Sequence, residues 1–342
     1  MTIFHRVVYN RVVKNKVLIN KFIIATSGFV GLVALVLCAY FLMPFWVYKP
    51  AQASAIAVNK QENMLTVSKN DMKILQLTDL HINNALDMPL TFSIIKGLIY
   101  KSDPDMIVIT GDVFSSGCTT KNVKQFISFM DKFKLPWAVV LGNHDDETPY
   151  SLAQLSSCLE TAEYSLFKTG GLVDLYGNYF YNIKFANDNT FQFIFMDSRS
   201  DGFTQESVNY YQSVVQSSAS VNNGAIINNW LFYHIPLAEL NDAVEQYKLD
   251  SGIGAGELRE SVKTQQNNVG FFDKVIELGA TKAMMFGHDH LNNTRIKYQG
   301  IDFCYGVKTG TSAYEEHDML GGVVYTLSST GQYSAQNIFV FN

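Results

Sequence analysis

Residues 72–81, MKILQLTDLH, place a short apolar run directly before two polar side chains, Asp79 and His81. Four further apolar runs end in the same way, at Gly111-Asp112, Gly142-Asn143-His144-Asp145, His234 and Gly287-His288-Asp289-His290. Each run has the length of a buried strand, and α/β sheets bind ligands just beyond the carboxyl ends of their strands. The pattern therefore predicts that these scattered polar residues meet in one crevice.

Helical periodicity separates the apolar runs. Apolar residues recur at helical spacing in residues 94–99, 123–133 and 268–278. The last helix is expected to pack through Val269, Phe272, Val275 and Ile276 and to be capped by Gly279. Because the tail from Ile301 is rich in β-forming runs, the whole pattern predicts an α/β fold, a four-layer αββα sandwich with two stacked mixed β-sheets. The polar residues 197–228 are expected to form a helix and a loop over the site.

The bulk composition limits the class of protein. The chain has 342 residues, 47% of them hydrophobic, and a net charge of −5. It can bury a large core, but this charge gives no support for a general nucleic-acid binder, which shows a basic face. The four cysteines have neither C-x-x-C nor zinc-finger spacing, so they are expected to be buried, inert thiols.

The N-terminal residues predict a transmembrane helix. Residues 22–48 carry no charge, and as a helix they would be on the order of 40 Å long, enough to cross a bilayer. The basic residues before this run place residues 1–21 in the cytoplasm by the positive-inside rule. The predicted order is a cytoplasmic segment at 1–21, a membrane anchor at 22–48, a linker at 49–70 and an exported domain at 71–342. The alternative is a signal peptide cleaved near Ala53 or Ala55, which would release the domain.

The polar side chains at the five strand ends are suited to metal ions. Asp, Asn and His offer oxygen and nitrogen donors, and this set does not single out Mn, Fe or Zn. Seven such groups are enough for two adjacent ions that share one carboxylate, an arrangement that activates water for attack at phosphorus. Any one short motif is equally explained by turn formation, but their joint occurrence at strand ends favours a metal site.

The motifs resemble those of the calcineurin-like metallophosphoesterase superfamily. Its pattern D-x-H, G-D, G-N-H-[DE], H and G-H-x-H is matched between Asp79 and His290. Residues 234–237, HIPL, and 287–293, GHDHLNN, are similar to its small, purple-acid-phosphatase-like branch. The resemblance covers residues 71–342 and implies the sandwich fold and phosphoester hydrolysis.

The resemblance also implies a role for each motif residue. It assigns Asp79, His81 and His290 to the first ion and Asn143, His234 and His288 to the second, with Asp112 bridging both. His144 would remain free of metal and act as the catalytic proton donor or charge stabiliser. Asp145, the other candidate catalytic residue, is expected mainly to brace this loop.

One departure from true purple acid phosphatases concerns the metal. Those proteins carry Gly where this chain has His81, and a Tyr ligand three residues after the bridging Asp, where this chain has Ser115. Without that tyrosinate, neither a purple colour nor an obligatory ferric ion is expected.

These observations predict an exported, membrane-anchored, two-metal phosphoesterase that acts on small mono- or diesters. Neither nucleic-acid cleavage nor an obligate protein partner is expected. Two alternatives remain: a phosphodiesterase specific for cyclic nucleotides, nucleotide sugars or lipid head groups, and a non-catalytic surface module that uses the same fold for binding. The crevice is expected to be lined by residues 146–190, 197–228 and 241–267, which contain many tyrosines and no cluster of basic residues.

Overall fold

The computed structural model describes residues 54–170, 176–249 and 254–341, which all belong to one compact unit, Pro50–Asn342. Within these ranges no helix is both long and apolar enough to span a bilayer. The predicted cytoplasmic segment and membrane anchor lie outside the described residues, so both stay predictions.

Fourteen strands are found in the described residues. They are β1 (Ile56–Asn59), β2 (Met64–Val67), β3 (Asp71–Leu77), β4 (Met106–Thr110), β5 (Trp137–Val140), β6 (Tyr179–Lys184), β7 (Thr190–Phe195), β8 (Asn229–Phe232), β9 (Gly254–Ala255), β10 (Thr281–Phe286), β11 (Arg295–Tyr298), β12 (Ile301–Tyr305), β13 (Gly321–Ser328) and β14 (Tyr333–Phe339). A nine-stranded sheet has the order β1-β2-β6-β7-β8-β10-β12-β11-β9, and a five-stranded sheet has the order β14-β13-β3-β4-β5. Both sheets combine parallel and antiparallel pairs, which confirms the prediction of two mixed sheets.

Six α-helices connect the strands in the described residues. They are α1 (Met88–Ser102), α2 (Thr120–Asp131), α3 (Leu152–Glu160), α4 (Gln205–Ser217), α5 (Leu240–Leu249) and α6 (Phe271–Leu278). Helix α6 ends at Gly279, which adopts φ 65° as predicted for its cap. Its packing face was predicted only in part, because Phe272 and Val275 are buried with Phe271 while Val269 and Ile276 are exposed.

The two sheets face each other across an aromatic core. The ring of Trp230 on β8 lies 5.7 Å from that of Tyr325 on β13 and 5.1 Å from that of Tyr333 on β14. Helices cover the outer faces, as the contact between Phe126 of α2 and Trp137 of β5 illustrates. Burial of these large rings between the layers supplies most of the driving force for stacking the sheets.

The predicted linker at 49–70 is wrong from Ile56 onward, where the structure has two strands instead of a tether. Strands β1 and β2 form an antiparallel hairpin, and β2 adds to the nine-stranded sheet through β6. Leu65 and Val67 are fully buried while Thr66 between them is exposed. This period-two alternation over four residues marks a strand, but the small polar residues around it favoured a tether.

Both sheets deliver strand ends to one place. The parallel strands β3, β4 and β5 end at Leu77, Thr110 and Val140, and β8 and β10 of the other sheet end beside them. Gln76 fixes this junction, because its Nε2 donates to Thr110 Oγ1 at 2.9 Å within its own sheet and to Phe286 O at 3.2 Å in the other.

Candidate metal centre

A first cluster of donor atoms comes from the loop after β3 and the loop after β10. Nε2 of His81 lies 3.0 Å from Nε2 of His290, and Oδ1 of Asp79 lies 3.8 Å from the former and 3.5 Å from the latter. Ligands bound to one ion at roughly 2.1 Å are themselves about 3.0–3.8 Å apart for bond angles near 90–130°. The three side chains therefore have the spacing of a single metal site.

A second cluster lies beside it and consists of Asp112, His234 and His288. Oδ2 of Asp112 lies 3.1 Å from Nε2 of His234 and 3.5 Å from Nε2 of His81. One carboxylate oxygen thus faces both clusters, which is the geometry of a bridging ligand.

Each carboxylate has one oxygen held by the protein. Oδ2 of Asp79 accepts from Thr78 Oγ1 at 2.8 Å and from the backbone N–H of His288 at 3.2 Å. Oδ1 of Asp112 accepts from the backbone N–H of His144 at 2.9 Å. The other oxygen of Asp79 is buried without any hydrogen-bond partner, a costly state for a charged group unless a cation binds it.

Backbone carbonyls orient two of the histidines. Nδ1 of His234 lies 2.7 Å from Thr110 O, and Nδ1 of His290 lies 2.9 Å from Tyr314 O. Because a carbonyl oxygen can only accept, Nδ1 carries a proton in both rings, and Nε2 is the nitrogen that faces the cluster. Nε2 of His234 is buried without a hydrogen-bond partner even though it faces the carboxylate of Asp112.

The environment of Asn143 matches its predicted role as a ligand. Its Oδ1 is buried and lacks a hydrogen-bond partner. The next residue, His144, donates its backbone N–H to Asp112, so this amide lies one residue from the bridging carboxylate. The seven sequence-predicted ligands thus all reach the same junction.

Burial and neighbouring charges shift the pKa values of three candidate ligands. Burial lowers the pKa of His81 to about 3, which keeps its imidazole neutral. Burial by itself would raise the pKa of Asp112, but His234 outweighs it and lowers that pKa to about 2. His234 itself has its pKa raised to about 10 because Asp112 and Asp79 outweigh its burial. A metal ion at the second cluster must therefore displace this proton.

Four of the candidate ligands have strained backbones. Asp79, His81, Asp112 and His288 adopt φ values of 53°, 45°, 51° and 81°. Such left-handed conformations cost non-glycine residues on the order of 1–3 kcal/mol each and concentrate at functional sites. The strain turns successive side chains towards one point beyond the strand ends.

Two motif glycines permit the close approach of these loops. A Cβ on Gly287 would lie 2.0 Å from Thr78 Oγ1 and 2.6 Å from Asp79 Oδ2, and one on Gly142 would lie 2.2 Å from Asp112 Oδ1. No side chain fits at either position. The glycines are therefore required by the packing of one ligand loop on another.

A cavity of about 380 Å³ opens over both clusters. His144 lines it, with its ring centroid 5.2 Å from that of His81 and its side chain 42% exposed. Nδ1 of His144 lies 2.8 Å from Oε1 of Glu147, which also lines the cavity. His144 is therefore placed to contact a bound substrate while its other ring nitrogen is held.

Asp145 has no access to the cavity. It is fully buried, and its two oxygens accept the backbone N–H groups of Phe114 and Gly142, each at 2.8 Å. These bonds tie the loop after β5 to the loop after β4. The carboxyl thus positions the loops rather than contacting substrate.

Three residues at the site escaped the sequence analysis. They are Glu147 and Tyr314, which line the cavity, and Lys308. Lys308 is buried, and its Nζ donates to Asp79 O at 3.0 Å. No local motif marks Lys308 or Tyr314, because both lie in the loop between β12 and β13, within the strand-rich region after Ile301. Only Glu147 stood near a motif, three residues after His144.

The predicted cavity-lining loops were largely wrong. Among the described residues of 146–190, 197–228 and 241–267, only Glu147 and Lys263 line the cavity. Helix α4 instead buries Val208 and Tyr211 on the outer side of the larger sheet, where Tyr211 bonds Thr281. Period-3.6 apolar residues in α4 were present in the sequence, but their partner surface was not identifiable.

The residues present fit a pair of metal ions. Asp112 faces both donor clusters, and buried donor atoms of Asp79, Asn143 and His234 lack hydrogen-bond partners. Oxygen and imidazole donors of this kind suit Mn, Fe and Zn alike. The fold and these clusters together define the class as metal-dependent phosphoesterases.

The chain belongs to the calcineurin-like phosphoesterase family, whose family model matches residues 72–292. It is similar to probable inactive purple acid phosphatase 28 of Arabidopsis thaliana, with 27% identity over 292 residues that cover 71% of each chain. It is also similar to probable inactive purple acid phosphatase 29 of that plant, with 25% identity over 76% of this chain and 78% of the relative. Phosphatase DCR2 of Saccharomyces cerevisiae is 25% identical over 72% of this chain and 49% of that protein. The predicted superfamily and branch are confirmed.

Proposed function

We propose that this protein hydrolyses small phosphoesters with the help of two metal ions. The observation that carries the proposal is the set of seven donor side chains, in which buried donor atoms of Asp79, Asn143 and His234 have no hydrogen-bond partner. A protein that had abandoned this chemistry would be free to replace or neutralise such costly buried groups.

The two clusters divide the ligands as follows. Asp79, His81 and His290 would hold one ion, Asn143, His234 and His288 the other, and Asp112 both. When bound, such a pair of ions polarises the phosphoryl group and supplies activated water for in-line displacement.

His144 provides the proton that the chemistry requires. Its Nε2 side faces the cavity while Nδ1 is held by Glu147 at 2.8 Å. A leaving alkoxide needs a proton, and an imidazolium beside a carboxylate can donate one near neutral pH. Glu147 keeps the ring oriented and stabilises its positive charge.

The walls of the cavity favour a small substrate. In the part of the chain that the structure describes, Lys263 is the one lysine or arginine that lines it, beside the acidic Glu147 and Asp289. A nucleic-acid strand calls for several clustered cations, whereas the charge of one phosphoester is met by the two metal ions. Cleavage of DNA or RNA is therefore not expected.

We place the catalytic domain outside the cell, tethered by residues 22–48, because these residues are uncharged and follow a basic segment. The cleaved-signal alternative leads to the same compartment. Substrates available outside the cell would then be the relevant ones.

The plant relatives carry the word inactive in their names, so turnover must be measured directly. The purified chain should be loaded with Mn, Fe or Zn, analysed for metal content, and assayed on nitrophenyl phosphate and bis-nitrophenyl phosphate, with plasmid DNA as a further substrate. We expect two ions per chain and hydrolysis of at least one ester. Absence of bound metal would refute the proposal, and metal binding without turnover would favour a binding module.

Two variants separate metal ligand from proton donor. Asp112→Asn should lose metal and turnover together, because two cations need its charge. His144→Ala should keep both ions and lower kcat by roughly 10²–10⁴, the usual range for acid–base assistance. Asp242→Asn, on the exposed surface of α5, is the control and should behave as wild type.

A further inference from the structure

Tyr314 lies in the cavity wall beside the first cluster. It belongs to the loop between β12 and β13 and lines the same cavity as His81, His144 and His290. Among the described residues that form this wall, it is the only phenol or other non-histidine ring. Its side chain is 53% exposed, which is unusual for so large a ring in a protein interior cleft.

The ring is held in place on several sides. It stacks on the imidazole of His290, with ring centroids 4.2 Å apart and an angle of 23° between the planes. Its Oη donates to Glu260 Oε2 at 2.9 Å, and its carbonyl accepts from Nδ1 of His290 at 2.9 Å. Glu260 in turn accepts the backbone N–H of Leu291. The ring therefore cannot turn freely in the cavity.

These contacts occupy one face and the edge of the ring. The ring nevertheless lines the cavity, and the residue is 53% exposed, so part of its apolar surface remains open to water. Because the rotamer is already fixed, a ligand that covers this surface gains the stacking interaction without the entropic cost of ordering the side chain. Such a surface is complementary to a flat aromatic group.

The position of Tyr314 beside the metal cluster indicates that the aromatic group of the ligand is attached to a phosphoryl group. Nε2 of His290 faces Asp79 and His81, and Tyr314 stacks directly on the ring that carries this nitrogen. A phosphoryl group held by the two clusters would therefore lie in the same cavity as Tyr314 and close to its ring. The organic part of the ester that lies next to the phosphorus is the part that can reach this ring.

We propose that Tyr314 forms a stacking subsite for the aromatic or heteroaromatic group of a small phosphoester, so that aryl and nucleobase-bearing esters are the preferred substrate class. The inference rests on the proposed function for the position of the phosphoryl group. A ring that only braced His290 would not need to be half exposed in the cavity wall.

Non-hydrolysable phosphonates test the subsite without turnover. The Mn-loaded full chain is titrated calorimetrically with phenylphosphonate, cyclohexylphosphonate and methylphosphonate, which share one phosphonate group and differ in the attached group. We expect phenylphosphonate to bind roughly 10-fold more tightly than methylphosphonate, within the range that stacking on an aromatic side chain supplies. Cyclohexylphosphonate should fall between them, because it offers apolar area without a flat π-face.

Three variants locate the effect. Tyr314→Leu should lose most of the preference for phenylphosphonate while its affinity for methylphosphonate and its metal content stay unchanged. Tyr314→Phe retains the ring without the bond to Glu260 and should keep the preference. Tyr100→Leu removes a tyrosine that is 59% exposed on α1, outside the cavity wall, and should behave as wild type.

The outcomes distinguish this inference from the proposed function. Equal affinity for phenyl- and methylphosphonate in the metal-loaded wild type overturns the subsite alone. Metal loss in Tyr314→Leu also overturns it and assigns the ring to bracing His290. Failure of the wild type to take up metal overturns the proposed function and this inference with it, whereas lack of turnover leaves the binding test intact.

Discussion

Nδ1 of His144 lies 2.8 Å from Oε1 of Glu147, and Oε2 of the same carboxylate accepts the backbone N–H of Ser116 at 2.8 Å. The glutamate is therefore fixed by the loop after β4 and in turn fixes the imidazole on the loop after β5. Burial alone would lower the pKa of His144, but Asp112 and Glu147 together raise it. The carboxylate of Glu147 therefore both orients the imidazole ring of His144 and favours its protonated form.

Removing this carboxylate should weaken proton donation. In Glu147→Gln, we expect kcat to fall by roughly 10-fold, since part of the acid–base contribution of His144 depends on its orientation and charge. The pKa of His144 should fall as well. Because the donor works in its protonated form, the alkaline limb of the pH–rate profile should move to lower pH.

The control for this prediction is Asp146→Asn, which removes an exposed carboxylate from the same turn without touching the histidine. Its pH–rate profile should match wild type. A Glu147→Gln profile with an unshifted alkaline limb and wild-type kcat would show that the pair has no catalytic role.

Gly287→Ala should disturb the first metal site. The added methyl would lie 2.0 Å from Thr78 Oγ1 and 2.6 Å from Asp79 Oδ2, so the ligand loops must separate. We expect the free energy of unfolding to fall by about 1–3 kcal/mol, as for other overpacked sites, and metal content to fall with it. Urea denaturation and metal analysis measure the two effects.

Gly97→Ala is the matched control. Gly97 lies in α1 with nothing within 4 Å of an added Cβ, so alanine should be neutral or stabilise the helix by up to about 1 kcal/mol. If Gly287→Ala kept wild-type stability and both ions, the close packing of the ligand loops would have to be rejected.

Asp197 makes the stability depend on pH. It is buried, and burial raises its pKa to about 6 even though the backbone N–H of Arg199 donates to it at 2.8 Å. In the unfolded chain its pKa is near 3.9, so the folded state binds more protons between about pH 4 and 6. Stability therefore falls as pH rises through this window, by about 2–3 kcal/mol once the group is ionised.

Asp197→Asn cannot ionise and should lose this contribution. Urea denaturation in EDTA at pH 4.5 and pH 7.5 should show a smaller decrease in unfolding free energy for the variant than for wild type. Other buried carboxyls such as Asp145 and Asp289 titrate in both proteins, so the difference between the two isolates this group. Identical pH dependence in both would mean that Asp197 is already ionised at low pH in the folded state.

The predicted anchor can be tested on whole cells. If residues 1–21 stay in the cytoplasm and residues 22–48 span the membrane, protease added to intact cells or spheroplasts should degrade the catalytic domain. A cytoplasmic marker protein should survive the same treatment. Protection of the domain would reject export, and release of the domain into the medium would favour cleavage near Ala53 or Ala55.

The sequence by itself determined the chemistry of the site. Asp79, His81, Asp112 and His234 could be recognised because each follows an apolar strand. Ligands bind at the carboxyl ends of strands, and a strand end can be read from a few neighbouring residues. The family pattern added His144 as the residue outside the metal ligands. The mixed sheets followed from the same alternation of strands and helices.

Only the tertiary structure decided what surrounds these residues. It selected Oδ2 of Asp112 as the atom that faces both clusters, because Oδ1 is held by the backbone of His144. It brought Tyr314 onto His290 and Lys308 beneath Asp79, the latter across a separation of 229 residues. Such contacts depend on which strands pair and how loops meet across two sheets. Local sequence patterns cannot predict these contacts, because the two partners lie far apart in the sequence and meet only when the chain folds.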